Sequence, residues 1–230
     1  MVYAREVEGQ ELNLQVSGML WNRSLVMRDL ETGSLWSHIL GRCMDGDLKD
    51  QELPFVPGTV TTFQDWLSKH PDSSVLLMPR TALKYQRYAY TEPRDYVIGI
   101  KVGTTVKAYT YAYLAAHPIV QETLNKTPIL LAFDPASTRA FVFERKVGDE
   151  PVEFKPEYSS GNLIDVATES EWDPWSGKST SGARSGVGLP TLYGIISYRR
   201  AWEIFYPDTE VVDLPAAAPV EESETGPLEE

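Results

Sequence analysis

Residues 32–75, TGSLWSHILGRCMDGDLKDQELPFVPGTVTTFQDWLSKHPDSSV, align without a gap on residues 168–211, TESEWDPWSGKSTSGARSGVGLPTLYGIISYRRAWEIFYPDTEV, at a constant offset of 136. Thr32 falls on Thr168, Ser34 on Ser170, Trp36 on Trp172, Gly41 on Gly177 and Gly46 on Gly182. Further along, Leu53-Pro54 falls on Leu189-Pro190, Gly58 on Gly194, Trp66 on Trp202, Pro71-Asp72 on Pro207-Asp208 and Val75 on Val211. The identities number twelve in 44 positions and concentrate on Gly, Pro and Trp. Those residues carry backbone geometry and large buried area, so the two segments are expected to share a fold.

The match extends backwards at an offset of 140. Tyr3-Ala4-Arg5 falls on Phe143-Glu144-Arg145, and Leu12-Asn13-Leu14 on Val152-Glu153-Phe154. The second copy is therefore four residues shorter between 154 and 168 than the first is between 14 and 32. Glu8-Gly9-Gln10 and Gly148-Asp149-Glu150 read as matching hairpin turns. Residues 95–141 have no counterpart before Met1, so the first repeat is expected to be incomplete at its N-terminus. Either this protein dispenses with that unit or the chain starts inside its first repeat.

The elements expected are short. Val2–Val7 and Glu11–Val16 form a hairpin, Leu25–Asp29 and Ser34–Ile39 are strands, and Gly41 to Glu52 is a loop. Thr61 or Thr62 caps a helix over Phe63–Lys69 that Pro71 ends. Val75–Met78 is a strand. The second copy runs through strands at 96–100, 105–109 and 129–133, a helix over Ala112–Ala116, a hairpin over 140–155 and a strand at 163–167. A glycine-rich loop at 177–188, a helix over Tyr198–Phe205 and a strand over Glu210–Asp213 complete it. The class is α+β, strand-rich, with two tandem copies of one repeat and short helices. The boundaries are 1–78 for the first repeat, 79–93 for a connection, 94–213 for the second repeat and 214–230 for a tail. Each of the two late helices is too short to be stable alone, so Trp66 and Trp202 are expected to dock them and to be buried.

Composition sets outer bounds. With 42% hydrophobic and 11% aromatic residues in 230, the chain can bury a substantial core. No window approaches the length of a membrane-spanning helix, and the first ten residues contain no apolar stretch of the signal-peptide kind. A single cysteine, Cys43, makes no internal disulfide and no multi-thiolate metal site. The net charge of −12 argues against nucleic acid and anionic membrane as partners. Six of those charges, from Asp213, Glu221, Glu222, Glu224, Glu229 and Glu230, sit in the tail, whose composition reads as disordered.

The stretch from Val16 to Asp29, VSGMLWNRSLVMRD, followed by Glu31-Thr32-Gly33-Ser34-Leu35-Trp36, resembles the domain-of-unknown-function family 3179 of bacteria and archaea. That family reads S-G-x-L-Y-N-S-D-L-V-M-Y-D-x-x-T-x-S-L-W here. Gly41, Gly46, Leu53, Trp66, His70, Pro71 and Asp72 continue the resemblance, which covers roughly residues 2–213. The resemblance also implies a C-P-L-C element ahead of the strand at Val2–Arg5, and a histidine-bearing element before that, neither of which this chain contains. Asp134-Pro135-Ala136-Ser137-Thr138 stands where C-P-L-C would repeat, and His117 where the histidine would. The resemblance implies no established activity.

Candidate chemistry is sparse. Gly177-Lys178-Ser179-Thr180 resembles the end of a phosphate-binding loop but lacks the upstream glycine and strand, and it repeats Gly41–Met44, so a structural role is expected. Cys43 is matched by Ser179, which argues against a nucleophile. Of His38, His70 and His117, His117 is the best metal-ligand candidate; no metal or other cofactor is otherwise indicated. Trp36 and Trp172 read as paired core anchors. The segment Trp21-Asn22-Arg23-Ser24 lies in the insertion unique to the first copy, where the scaffold does not need it; a longer hairpin tip is the bland reading. Trp21, Asn22, Arg23, Asp29, Trp36 and His38 are the ligand-binding candidates. Two readings remain open: a non-catalytic ligand- or partner-binding protein with a cleft between the copies, or a metal-linked or redox enzyme of which this chain lacks the thiol-bearing part. Self-association through an exposed N-terminal edge strand is a further expectation.

Overall fold

A computed structural model describes residues 1–74, 92–157 and 159–215. The predicted strand at 75–78, most of the connection and nearly all of the acidic tail lie outside the described residues.

Both repeats contain the same series of elements. In the first, a two-residue ladder pairs Glu6–Val7 with Gln10–Glu11. Four antiparallel strands follow, Leu14–Trp21, Ser24–Asp29, Leu35–Ser37 and Cys43–Asp45, paired in chain order. Helix α1, Phe63–Lys69, comes next, capped by the Thr62 side chain. In the second repeat the ladder is Lys146–Val147 with Glu150–Pro151. The meander is Phe154–Glu157, Asn162–Asp165, Glu171–Asp173 and Lys178–Ser179. Helix α3, Arg199–Phe205, occupies the position of α1 at the offset of 136. The region expected as a loop at 41–52 contains the strand Cys43–Asp45, and Gly194–Tyr198 is a strand ahead of α3.

The second repeat has more. Tyr96–Val102 lies between Gly194–Tyr198 and Thr105–Thr110, with Glu210–Val212 added in parallel at one edge. Helix α2, Tyr111–Ala116, leads to a second sheet, in which Arg139–Glu144 and Thr127–Asp134 are flanked by Thr191–Leu192 and Ile119–Leu124. Ile98, Ile100, Tyr109, Leu114, Ile129, Leu131 and Phe133 form the largest core between these layers. Phe143 thus has strands on both sides. Its counterpart Tyr3 bridges only Phe55 among the described residues.

The corresponding backbone contacts coincide. Leu53 N donates to Gly41 O at 2.7 Å, and Leu189 N to Gly177 O at 2.8 Å. Ala4 N donates to Pro54 O and Glu144 N to Pro190 O. Gly41 is pressed on the ring of Tyr3 and Gly177 on that of Phe143, with φ of +64° and +65°; any Cβ would clash. This accounts for the glycine of the false phosphate-loop pattern.

A buried carboxylate organises each meander. Asp29 accepts from Thr32 N at 2.6 Å, Thr32 Oγ1 at 2.8 Å, Gly33 N at 3.1 Å and Trp36 Nε1 at 2.8 Å. The Thr32 hydroxyl meets Ser34 Oγ at 2.6 Å, and Ser34 Oγ accepts from Leu48 N at 3.2 Å. Asp165, Thr168 and Ser170 repeat this, ending on Arg184 N at 3.0 Å. One difference is informative. Arg184 replaces Leu48, and its Nη1 lies 3.2 Å from Asp165 Oδ2, so the carboxylate gains a cation. Trp172 Nε1 is left without a hydrogen-bond partner among the described residues.

The tryptophans of the helices part company. Trp202 is fully buried with Val97, Ala108 and Ile195, its ring lying where a Cβ on Gly99 would stand. Trp66 is 42% exposed, against expectation. Both indoles make the same local bond, Trp66 Nε1 to Ser73 Oγ and Trp202 Nε1 to Thr209 Oγ1. What differs is the floor: the sheet that carries Gly99 has no counterpart among the described residues of the first repeat.

Trp202→Ala should cost about 3–5 kcal/mol in urea melts and Trp66→Ala about 1 kcal/mol or less. Asp29 tests the network by pH. Burial opposes its charge, but the bonds from Trp36, Thr32 and Gly33 outweigh this and hold its pKa below the ordinary value. Its stabilisation is therefore complete above the unfolded pKa of about 3.9 and is lost as pH falls from there through the folded value. Asp29→Asn should cost about 1–3 kcal/mol at neutral pH and flatten the acid limb of stability against pH.

Candidate functional site

The insertion in the first repeat lengthens one hairpin. Its first strand has eight residues where the second repeat has four. The tip closes through Asn22 and Arg23, at φ of +49° and +63°, the two left-handed positions of a tight hairpin turn. Gly18, at φ +83°, lies where the ladder slips between Val16 and Leu20, so the hairpin is bulged.

This tip reaches across to the second repeat. Trp21 meets Phe205 of α3 edge-on at 4.9 Å between centroids. Beside that contact is a cavity of about 360 Å³, lined by Asn22 and Arg23 on one side and by Asp95, Tyr198, Arg200, Ala201 and Ile204 on the other. Neither Arg23 nor Arg200 has an ion-pair partner among the described residues. Arg199, the neighbour, is by contrast held by Glu203 and Asp213. Among the described residues the pocket thus presents two guanidinium groups outside any ion pair, one amide and one phenol, with Asp95 as the one acid in its lining. Two such cations on one concave surface form an electrostatic trap for an anion.

The other candidates are placed elsewhere. Asp29 and Trp36 are fully buried and bonded to each other, so they serve the scaffold. His38 is half-buried; its carbonyl accepts from Tyr3 Oη at 2.6 Å, and burial favours its neutral ring. His117 caps α2, with its ring stacked on Tyr113 at 4.4 Å. His70 stacks on Trp66 at 4.1 Å. The three imidazoles are thus distributed over three local contacts. Among the described residues no three His, Cys, Asp or Glu side chains gather as a metal-binding group. The Cys43 thiol is buried, which pushes its pKa up, and donates to Asp45 O at 3.3 Å.

A second cavity, of about 240 Å³, also lies between the repeats, and sequence reasoning missed it. Asp65, Trp66 and His70 of the first repeat face Arg139, Asp173 and Trp175 of the second. Arg139 is almost fully buried; its Nη1 lies 3.1 Å from Asp65 Oδ2, and its guanidinium lies 4.3 Å over the Trp175 ring. Trp175 stands where the first copy has Ile39. Positions where the copies disagree carry the signal for both cavities, and the insertion is only one of them.

No curated protein and no solved structure matches the chain. Among the described residues no helix is long and apolar enough to cross a membrane. A family model described as "Protein of unknown function (DUF3179)" matches residues 1–93 and, a second time, residues 88–224. Two successive matches to one model agree with the duplicated meander, helix and buried carboxylate, and the chain belongs to the DUF3179 family.

Proposed function

We propose that this is a non-catalytic binding protein that takes a small anionic ligand in the cleft between the hairpin tip of the first repeat and helix α3 of the second. The observation that carries this is the pair of guanidinium groups without an ion-pair partner among the described residues, Arg23 and Arg200, lining one cavity. Both side chains are exposed, so each is free to turn toward a ligand. Like charges on one concave surface repel, and an anion between them replaces that repulsion with two charge-assisted contacts. The chain as a whole is acidic, so two such arginines on one surface stand out against their background. The bulged, lengthened hairpin supports the same reading. The second repeat folds with the short form, and the additional residues serve only to bring Trp21, Asn22 and Arg23 onto α3. Trp21 anchors the tip on Phe205, Asn22 supplies amide bonds, and Arg23 and Arg200 supply charge. Asp29 and Trp36 hold the base of the same hairpin, and the backbone at His38 holds the turn beside it.

The test is a thermal-shift screen against small carboxylates and phosphate esters, followed by calorimetry. A binding anion should raise the melting temperature less at higher salt. Arg23→Ala with Arg200→Ala should weaken binding by about tenfold or more while leaving the unliganded melt unchanged, because neither side chain supports the fold. Stabilisation by no anion, or stabilisation equal in the double variant, would contradict the proposal.

A further inference from the structure

The cavity around Arg139 is a different site, separate from the Arg23–Arg200 cleft. We infer that it binds a neutral saccharide or similar polyhydroxylated ring. Its charges are balanced. Asp65 and Asp173 line it together with Arg139 and Lys69, two acids and two bases. Arg139 is already engaged by Asp65 at 3.1 Å and approached by Asp134 at 3.9 Å. An anion entering here would meet Asp65 and Asp173, and a cation would meet Arg139 and Lys69. A ligand without net charge meets neither penalty.

Its walls are aromatic. Trp66 stands 42% exposed beside the cavity, held in place by His70 and by its bond to Ser73. Trp175, half-buried, is fixed from one side by the Arg139 guanidinium. Accessible, immobilised indoles present electron-rich faces, to which the C–H bonds of a sugar ring are attracted. The exposure of Trp66 is itself a departure from its duplicate Trp202, which is buried under a sheet. The first repeat thus retains a large aromatic where no sheet covers it among the described residues, and Trp66 lines the cavity instead.

Its polar groups match hydroxyls. Asp65, Asp173 and Arg139 are planar groups that bind pairs of neighbouring hydroxyls, and Thr59, Thr61 and Ser176 add single donors and acceptors. The groups are preorganised: Thr61 Oγ1 donates to Asp65 at 2.8 Å and Ser176 Oγ to Asp173 at 2.7 Å. The volume, about 240 Å³, lies below that of pockets for drug-sized ligands and suits one or two sugar rings.

The experiment is titration of the full chain with glucose, galactose, mannose, N-acetylglucosamine and their 1,4-linked disaccharides, read by intrinsic tryptophan fluorescence and calorimetry. Inorganic phosphate and trimethylamine are run as charged comparisons. At least one neutral sugar should bind at millimolar concentration or below and change the tryptophan emission. Trp66→Ala, at an exposed position that the fold tolerates, should weaken it by about tenfold, and Trp66→Phe should retain most of it. Arg23→Ala with Arg200→Ala should leave sugar binding unchanged, so that the two sites succeed or fail separately. No sugar binding at millimolar concentration, tighter binding of phosphate or amine in a Trp66-dependent manner, or sugar binding indifferent to Trp66→Ala would each overturn the inference.

Discussion

Each half of the molecule is built on a carboxylate kept out of water. Asp29 and Asp165 are fully buried, which is tolerable only because both oxygens of each accept from nearby donors. Those donors are the amides and the threonine hydroxyl of the turn after the aspartate, joined in the first repeat by the indole of the tryptophan strand; in the second repeat Arg184 of the long loop adds an ion pair instead. The serine in turn receives a loop amide fourteen residues further on, Leu48 in one repeat and Arg184 in the other. Gly46 and Gly182 lie against that serine so closely that no Cβ fits. Asp, Thr and Ser depend on one another for their hydrogen bonds in both copies, Gly is required by the space beside the serine, and Trp36 joins the network through its indole while Trp172 is retained as core.

Both candidate cavities lie where the two copies stop agreeing. The scaffold is the same, but the first repeat has a longer, bulged hairpin and an exposed Trp66, and the second has Trp175 and Arg200 where the first has Ile39 and Gln64. In both clefts, groups from one repeat complete what the other begins. A duplication leaves one copy free to hold the fold while the other acquires side chains that the shared scaffold does not require, and both candidate cavities are lined by such side chains.

Much of the fold is legible in the sequence because glycine, proline and tryptophan report geometry. Gly41 and Gly177 align because both approach an aromatic ring; Trp36 and Trp172 align because both fill a core. Helix α1 is legible from Thr62 and Pro71 at its ends. The exposure of Trp66 is not, because identity at a position reports the shared local contact, here the bond to Ser73, and not what the tertiary structure lays beneath it. Asp29 stands out as a polar residue beside an insertion, and nothing local distinguishes a buried, fully bonded carboxylate from a ligand-binding one. The Arg139 cavity is invisible for a related reason. Its members lie far apart in the chain, come from different repeats, and share no spacing that a motif could express.

Native-state hydrogen exchange of the Leu48 and Arg184 amides tests most directly whether one buried network organises each repeat separately. In the intact protein both amides should be slow to exchange. Ser34→Ala should speed Leu48 by about tenfold or more and leave Arg184 unchanged, and Ser170→Ala should do the reverse, since each amide loses its one acceptor. If either substitution left its own loop as protected as before, the network would be incidental to the fold, and something other than the buried carboxylate would have to hold each repeat together.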